Sequence, residues 1–86
     1  MKIDKYIEIL GKLVEIPSIS SVDSHKDDVV YSANFVKELF EDLGMEGKVV
    51  SVENGQPAVL AKTLLDSKKK TVLLYAHHDV QPVGDE

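Results

Sequence analysis

The sequence contains no cysteine, which excludes a disulfide framework, a cysteine nucleophile and a thiolate metal site. Any metal must then be held by histidine and carboxylate. No apolar run approaches the ~18 residues that a membrane-spanning helix needs. The start, Met1-Lys2-Ile3-Asp4-Lys5, carries an acid early and lacks the continuous apolar stretch of a secretion signal. A cytoplasmic protein is the simplest expectation. Positive charge is also in short supply, with 10 basic against 15 acidic residues and a net charge of −5. Such a chain has no basic stripe for phosphate backbones or anionic lipid heads, so neither nucleic acid nor membrane is an expected partner. The lysine run Lys68-Lys69-Lys70 sits between two apolar segments and reads as a solvated turn.

The chain does have the composition of a folding domain, 43% apolar and 29% charged, with no internal repeat, low-complexity segment or linker. At 86 residues it is at most one domain, able to bury about 60–65% of the surface its unfolded form exposes. Apolar residues at Ile3, Tyr6, Ile7, Leu10, Leu13 and Val14 follow the three-and-four spacing of an amphipathic helix. Pro17 should end that helix near Glu15, and Glu8 four residues before Lys12 forms a supporting surface pair. Gly11 inside the stripe suggests a neighbour packed close against it.

Ser18 to Asp23 reads as a loop. Ser24 with Asp27 three residues on resembles a capping box, and Val29, Val30, Ala33, Val36, Leu39, Phe40 and Leu43 trace a second helix from about His25 to Leu43, closed by Gly44. The period then changes to that of strands. Val49, Val50 and Val52 lead to Asn54-Gly55, a hairpin signal, and a second strand resumes from Pro57 to Leu65. Pro57 favours a looser connection than a two-residue turn. Thr71-Val72-Leu73-Leu74-Tyr75-Ala76 is nearly all apolar, the pattern of an inner strand covered on both faces. The expected fold class is therefore α/β, two N-terminal helices followed by three strands, as part of a larger catalytic domain.

Directly after that strand come His77-His78-Asp79-Val80-Gln81-Pro82. Ligands bind at the carboxyl ends of strands in open α/β sheets, so the abrupt change from apolar to His, His and Asp falls where sites are built. From spacing alone a metal site and a surface turn capping the strand both fit. Side chains alternate along an extended segment, which puts His77 and Asp79 on one side and His78 on the other. Of the two histidines, His77 has a same-side carboxylate to orient its ring.

The segment from Leu73 to Pro82 resembles the first metal-binding motif, an apolar strand followed by His-x-Asp, of the zinc exopeptidase family that includes acetylornithine deacetylase, succinyl-diaminopimelate desuccinylase, aminoacylase and cytosolic non-specific dipeptidase. The order of two helices and a strand pair, with Ile16-Pro17-Ser18 after the first helix, is similar to the start of that family, so the resemblance spans essentially the whole chain. It implies that His77 ligates one of two Zn2+ ions and that Asp79 is a catalytic residue that steers or polarises that ligand. His78 occupies the variable middle place, and Gln81 before Pro82 resembles the dipeptidase branch more than the deacetylase branch. The family's bridging aspartate, its glutamate pair and its remaining ligands are expected beyond Glu86, as are the rest of the sheet and the lid or dimerisation domain.

These resemblances imply residues 1–86 of a metallopeptidase that hydrolyses a dipeptide or an N-acyl amino acid by metal-activated water, inactive as an 86-residue piece. The implied partners are that substrate, the remainder of its own catalytic domain and a second copy of the chain. A rival reading from a different class is a non-catalytic stand-alone α/β module. The remaining candidates carry little: His25 and Asp27-Asp28 read as helix-start residues, and Ser18, Ser20, Ser21 and Ser24, with no Gly-x-Ser-x-Gly elbow, as loop and cap residues.

Overall fold

Helix α1 runs from Ile3 to Glu15, as the apolar spacing and Pro17 predict. It belongs to a computed structural model that describes residues 3–64 and 66–82; Leu65, at the far end of the predicted second strand, and the Met1-Lys2 start lie outside the described residues. The Glu8–Lys12 pair forms at 3.4 Å on the exposed surface, where it contributes a few tenths of a kcal/mol. The apolar stripe of α1 is uncovered: no residue of the helix is buried, and Ile3, Ile7 and Leu10 are all more than half exposed. The close neighbour expected at Gly11 is absent as well, since a Cβ there would meet nothing within 4 Å. A stripe records which face the helix would bury, whereas the covering surface must be supplied by another segment.

The chain leaves α1 through Ile16 and Pro17 and folds back on itself. Ser18 N–H donates to the Ile16 carbonyl, Ile19 N–H to Pro17 and Val22 N–H to Ile19. These local bonds use three of the loop's donors and leave the Ser18 carbonyl free to accept from elsewhere. A single 3-10 turn over Asp23–His25 then leads into helix α2, Lys26–Asp42. The capping box expected from Ser24 does not form: Ser24 lies inside the 3-10 turn, which moves the N-cap of α2 to His25 and Ser24 off the position a capping box needs. His25 occupies the N-cap position without a side-chain cap bond, and its Nδ1 instead pairs with Asp28 at 2.8 Å.

The other end of α2 follows its sequence signal closely. Gly44 takes φ +84°, Gly44 N–H donates to Glu41 and Met45 N–H reaches back to Phe40, the paired bonds of a Schellman cap. A Cβ in that backbone conformation costs about 1–2 kcal/mol. Gly44→Ala should therefore lower unfolding stability by about that amount, read as a shift in denaturation midpoint at constant slope.

Strands β1, Glu46–Val50, and β2, Ala58–Lys62, pair antiparallel with Val49 opposite Val59 and Gly47 opposite Ala61. Those four residues are half-buried, and the intervening Lys48, Leu60, Glu46 and Lys62 are exposed, so the sheet turns one face to α2. Gly47 is where the layers come closest: a Cβ there would lie 3.2–3.3 Å from Lys37 and Glu41 atoms of α2. The connection is looser than two residues, as Pro57 suggested. Its tight turn spans Val52 to Gly55, with Asn54 at φ 62°. Lys68 to Lys70 are exposed next to a turn in which Lys68 and Lys69 N–H groups bond Asp66, in line with the solvated reading.

The third strand is not seen. Among the described residues the sheet has the order β1-β2 only, and Thr71–Ala76 is irregular, with Leu73, Leu74 and Tyr75 about nine-tenths exposed. Five apolar residues in a row, Val72 to Ala76, state a preference for burial, but a strand exists only when a neighbouring segment accepts its hydrogen bonds. The small core lies instead where α2 meets the loop after α1, at Ile16, Val29 and Ala33 with the hydroxyls of Ser18 and Ser32 enclosed among them.

Candidate metal-ligand site

The chain regains order at His78 to Val80, and it does so against the Pro17–Ser20 loop. Val80 N–H donates to the Ser18 carbonyl at 3.0 Å, and Ile19 and Val80 form a single parallel bridge. This brief strand contact is enough to impose alternation on the side chains around it. His77 and Asp79 emerge together, with His77 Nδ1 2.8 Å from Asp79 Oδ1. His78 turns the other way, toward α2, where its Nδ1 lies 2.9 Å from Ser32 Oγ.

The two histidines therefore sit in opposite environments. The His77 side chain is 79% exposed, and its one protein partner is the carboxylate. An ionised carboxylate only accepts hydrogen bonds, so Nδ1 carries a proton, and in the neutral ring that tautomer leaves the lone pair on Nε2. His78 is held at both ends: besides the ring contact, its backbone carbonyl accepts from Ser18 Oγ at 3.3 Å and from Ser32 Oγ at 3.4 Å. With the ring N–H donating to Ser32 Oγ, the serine hydroxyl proton remains available for the carbonyl. Both serines are fully buried, and no buried side-chain polar atom among the described residues lacks a partner.

Asp79 is the hub of the exposed side. Its second oxygen, Oδ2, accepts a short hydrogen bond of 2.5 Å from Ser20 Oγ. That hydroxyl above all holds the Asp79 carboxyl below its ordinary value of 3.8; desolvation opposes it, and the His77 imidazole adds to the lowering. The aspartate is thus kept ionised as the partner that orients His77.

The described residues suit one ligand position of a metal site. A His77 imidazole with its proton on Nδ1 would offer Nε2 to a metal, its other nitrogen fixed by a carboxylate, which is how metal-ligating histidines are oriented. No group of three or more His, Asp or Glu side chains able to hold a metal occurs among the described residues. Sequence reading paired His77 with Asp79 and set His78 apart, but it missed Ser20, Ser18 and Ser32. Ser32 carried a signal: it interrupts the apolar face of α2, three residues after Val29 and beside Ala33, where a polar side chain needs a buried partner. Ser20 carried none, because its partner lies 59 residues away.

Three curated relatives align along nearly all of this chain. The Cys-Gly metallodipeptidase DUG1 of Candida albicans is 43% identical over 90 positions that take in 91% of the chain. The protein of the same name from Saccharomyces cerevisiae is 33% identical over 91% of the chain, and that from Schizosaccharomyces pombe 38% identical over 99%. Over this stretch the chain is similar to proteins named as metallodipeptidases. The dipeptidase in the relatives' names matches the branch that Gln81-Pro82 resembles. The chain spans only about a fifth, 19–20%, of the length of these relatives. No family model matches the chain, and no solved structure is significantly similar to it. No helix among the described residues is long and apolar enough to cross a membrane.

Proposed function

We propose that the protein carrying this sequence is a zinc-dependent dipeptidase that hydrolyses the amide bond of short substrates of the Cys-Gly kind. In this reading His77 supplies a metal ligand through Nε2, and Asp79 fixes the orientation and tautomer of that imidazole. The observation that carries it is the 2.8 Å His77–Asp79 contact with the outer face of the ring open. Support comes from the relatives, each named a Cys-Gly metallodipeptidase. A bound divalent zinc ion supplies Lewis acidity for amide hydrolysis at neutral pH. The contribution of these 86 residues is to present His77 neutral, oriented and accessible, and to keep a compensating negative charge behind it. The remaining ligands and the general base belong to the rest of the protein, because a His-Asp pair falls short of the three protein ligands usual for catalytic zinc.

The deacylase alternative makes the opposite substrate prediction, which makes the test direct. Full-length protein should hydrolyse Cys-Gly and leave N-acetyl amino acids intact, lose that activity on chelation and regain it on adding Zn2+. Unchanged hydrolysis after complete removal of metal would sink the proposal.

A further inference from the structure

The residues that hold His77 in place come from opposite ends of the chain, and the loop after α1 contributes more of them than the strand-like segment itself. Four separate bonds tie the Ser18–Ser20 loop into the site: Val80 N–H to Ser18 O, Ser18 Oγ to His78 O, Ser20 Oγ to Asp79 Oδ2, and Gln56 Nε2 to Ser20 O at 2.9 Å. The last anchors the loop from the hairpin connection between β1 and β2. The irregular run Thr71–Ala76 adds no such support, because it is exposed throughout.

Asp79 has two carboxylate oxygens and two side-chain partners. Oδ1 faces His77 Nδ1, and Oδ2 is taken by Ser20. A carboxylate bonded through one oxygen only can rotate about its terminal torsion, which is broad and weakly restrained. Occupying the second oxygen removes that freedom and fixes the direction from which Oδ1 meets the imidazole. The bond also points the right way electrically, since a hydroxyl donor stabilises the ionised carboxylate that His77 needs as its acceptor.

We infer that Ser20 is a positioning residue for the metal ligand: through Asp79 it sets the tautomer and direction of His77, with Gln56 holding Ser20 from behind. This rests on the assignment of His77 as a ligand in the preceding section and adds a residue that the His-x-Asp motif does not contain. Ser20 itself touches neither substrate nor metal. Its effect is read in the metal-free protein, as the fraction of His77 carrying its proton on Nδ1, and in the affinity for Zn2+.

The experiment compares Ser20→Ala, Ser20→Thr and His77→Ala in the full-length protein. The readouts are Zn2+ affinity by chelator competition, ring nitrogen shifts of His77 without metal, and kcat and KM for Cys-Gly. Ser20→Ala should weaken Zn2+ binding by about tenfold, the low end of the range for outer partners of metal ligands. It should also reduce the Nδ1–H tautomer of His77 and lower kcat with KM little changed. Ser20→Thr, which keeps the hydroxyl, should restore all three. Wild-type Zn2+ affinity and tautomer in Ser20→Ala, alongside loss of metal in His77→Ala, would overturn the role of Ser20 and leave the ligand assignment standing. Retention of the full metal complement by His77→Ala would overturn both. Should Ser20→Ala fail to fold, the exposed Gln56→Ala decides: weakened Zn2+ binding supports the inference and wild-type binding refutes it.

Discussion

Replacing His77 by alanine in the full-length protein should abolish turnover and remove metal, whereas His78→Tyr should keep the metal and lose stability instead. The two histidines are adjacent in sequence, so the contrast follows only from the direction each faces. His77 is 79% exposed, and under the proposed function its loss deletes the metal ligand that this segment supplies. His78 is turned toward α2 and bonded to buried Ser32. Tyrosine at position 78 cannot make that bond, which leaves Ser32 only the weaker 3.4 Å contact to the residue 78 carbonyl. The expected cost is about 1–2 kcal/mol, the typical effect of depriving a buried polar group of a partner. Asp79→Asn should fall between the two, with Zn2+ affinity or activity lower by about 10–100-fold, because an amide can orient the ring only by presenting its carbonyl and carries no charge. Metal analysis, turnover and thermal midpoints on the three variants check the series. Metal lost from His78→Tyr and kept in His77→Ala would show that the register is reversed.

The second large effect concerns Thr71–Ala76. In the 86-residue polypeptide these backbone amides should exchange with solvent at nearly unprotected rates. In the full-length protein they should be slowed about a thousandfold or more, an opening free energy of ~4 kcal/mol or above. The reasoning is that Val72, Leu73, Leu74 and Tyr75 are 77–93% exposed here although their sequence is that of a strand covered on both faces. Relatives about five times as long as the matched stretch have ample chain to supply the missing neighbours. The same argument applies to the open stripe of α1 at Ile3, Ile7 and Leu10. Hydrogen exchange read by mass spectrometry on the two polypeptides provides the comparison. Equal, fast exchange in both would show that the apolar run is not a strand of the larger domain.

The elements that were legible in the sequence are those decided by bonds within a few residues. The span of α1 follows from its periodicity and Pro17, the end of α2 from Gly44, and the loose hairpin from Asn54-Gly55 and Pro57. The Ser24 capping box failed for a reason equally local, the 3-10 turn over Asp23–His25 that moves the N-cap to His25. The third strand and the burial of α1 were not legible, because each requires a second surface that periodicity does not identify.

The site divides along the same line. Alternation along an extended segment is a property of the backbone alone, so the sequence by itself determined that His77 and Asp79 share a side and that His78 opposes them. It also determined that any metal ligand these 86 residues supply is histidine or carboxylate, since they contain no cysteine. Only the tertiary structure decided what fixes Asp79 and where His78 goes. Ser20 and Ser32 lie 59 and 46 residues from their partners, and a hydrogen bond depends on separation in space, which is set by how the loop after α1, helix α2 and the His77–Val80 segment pack together.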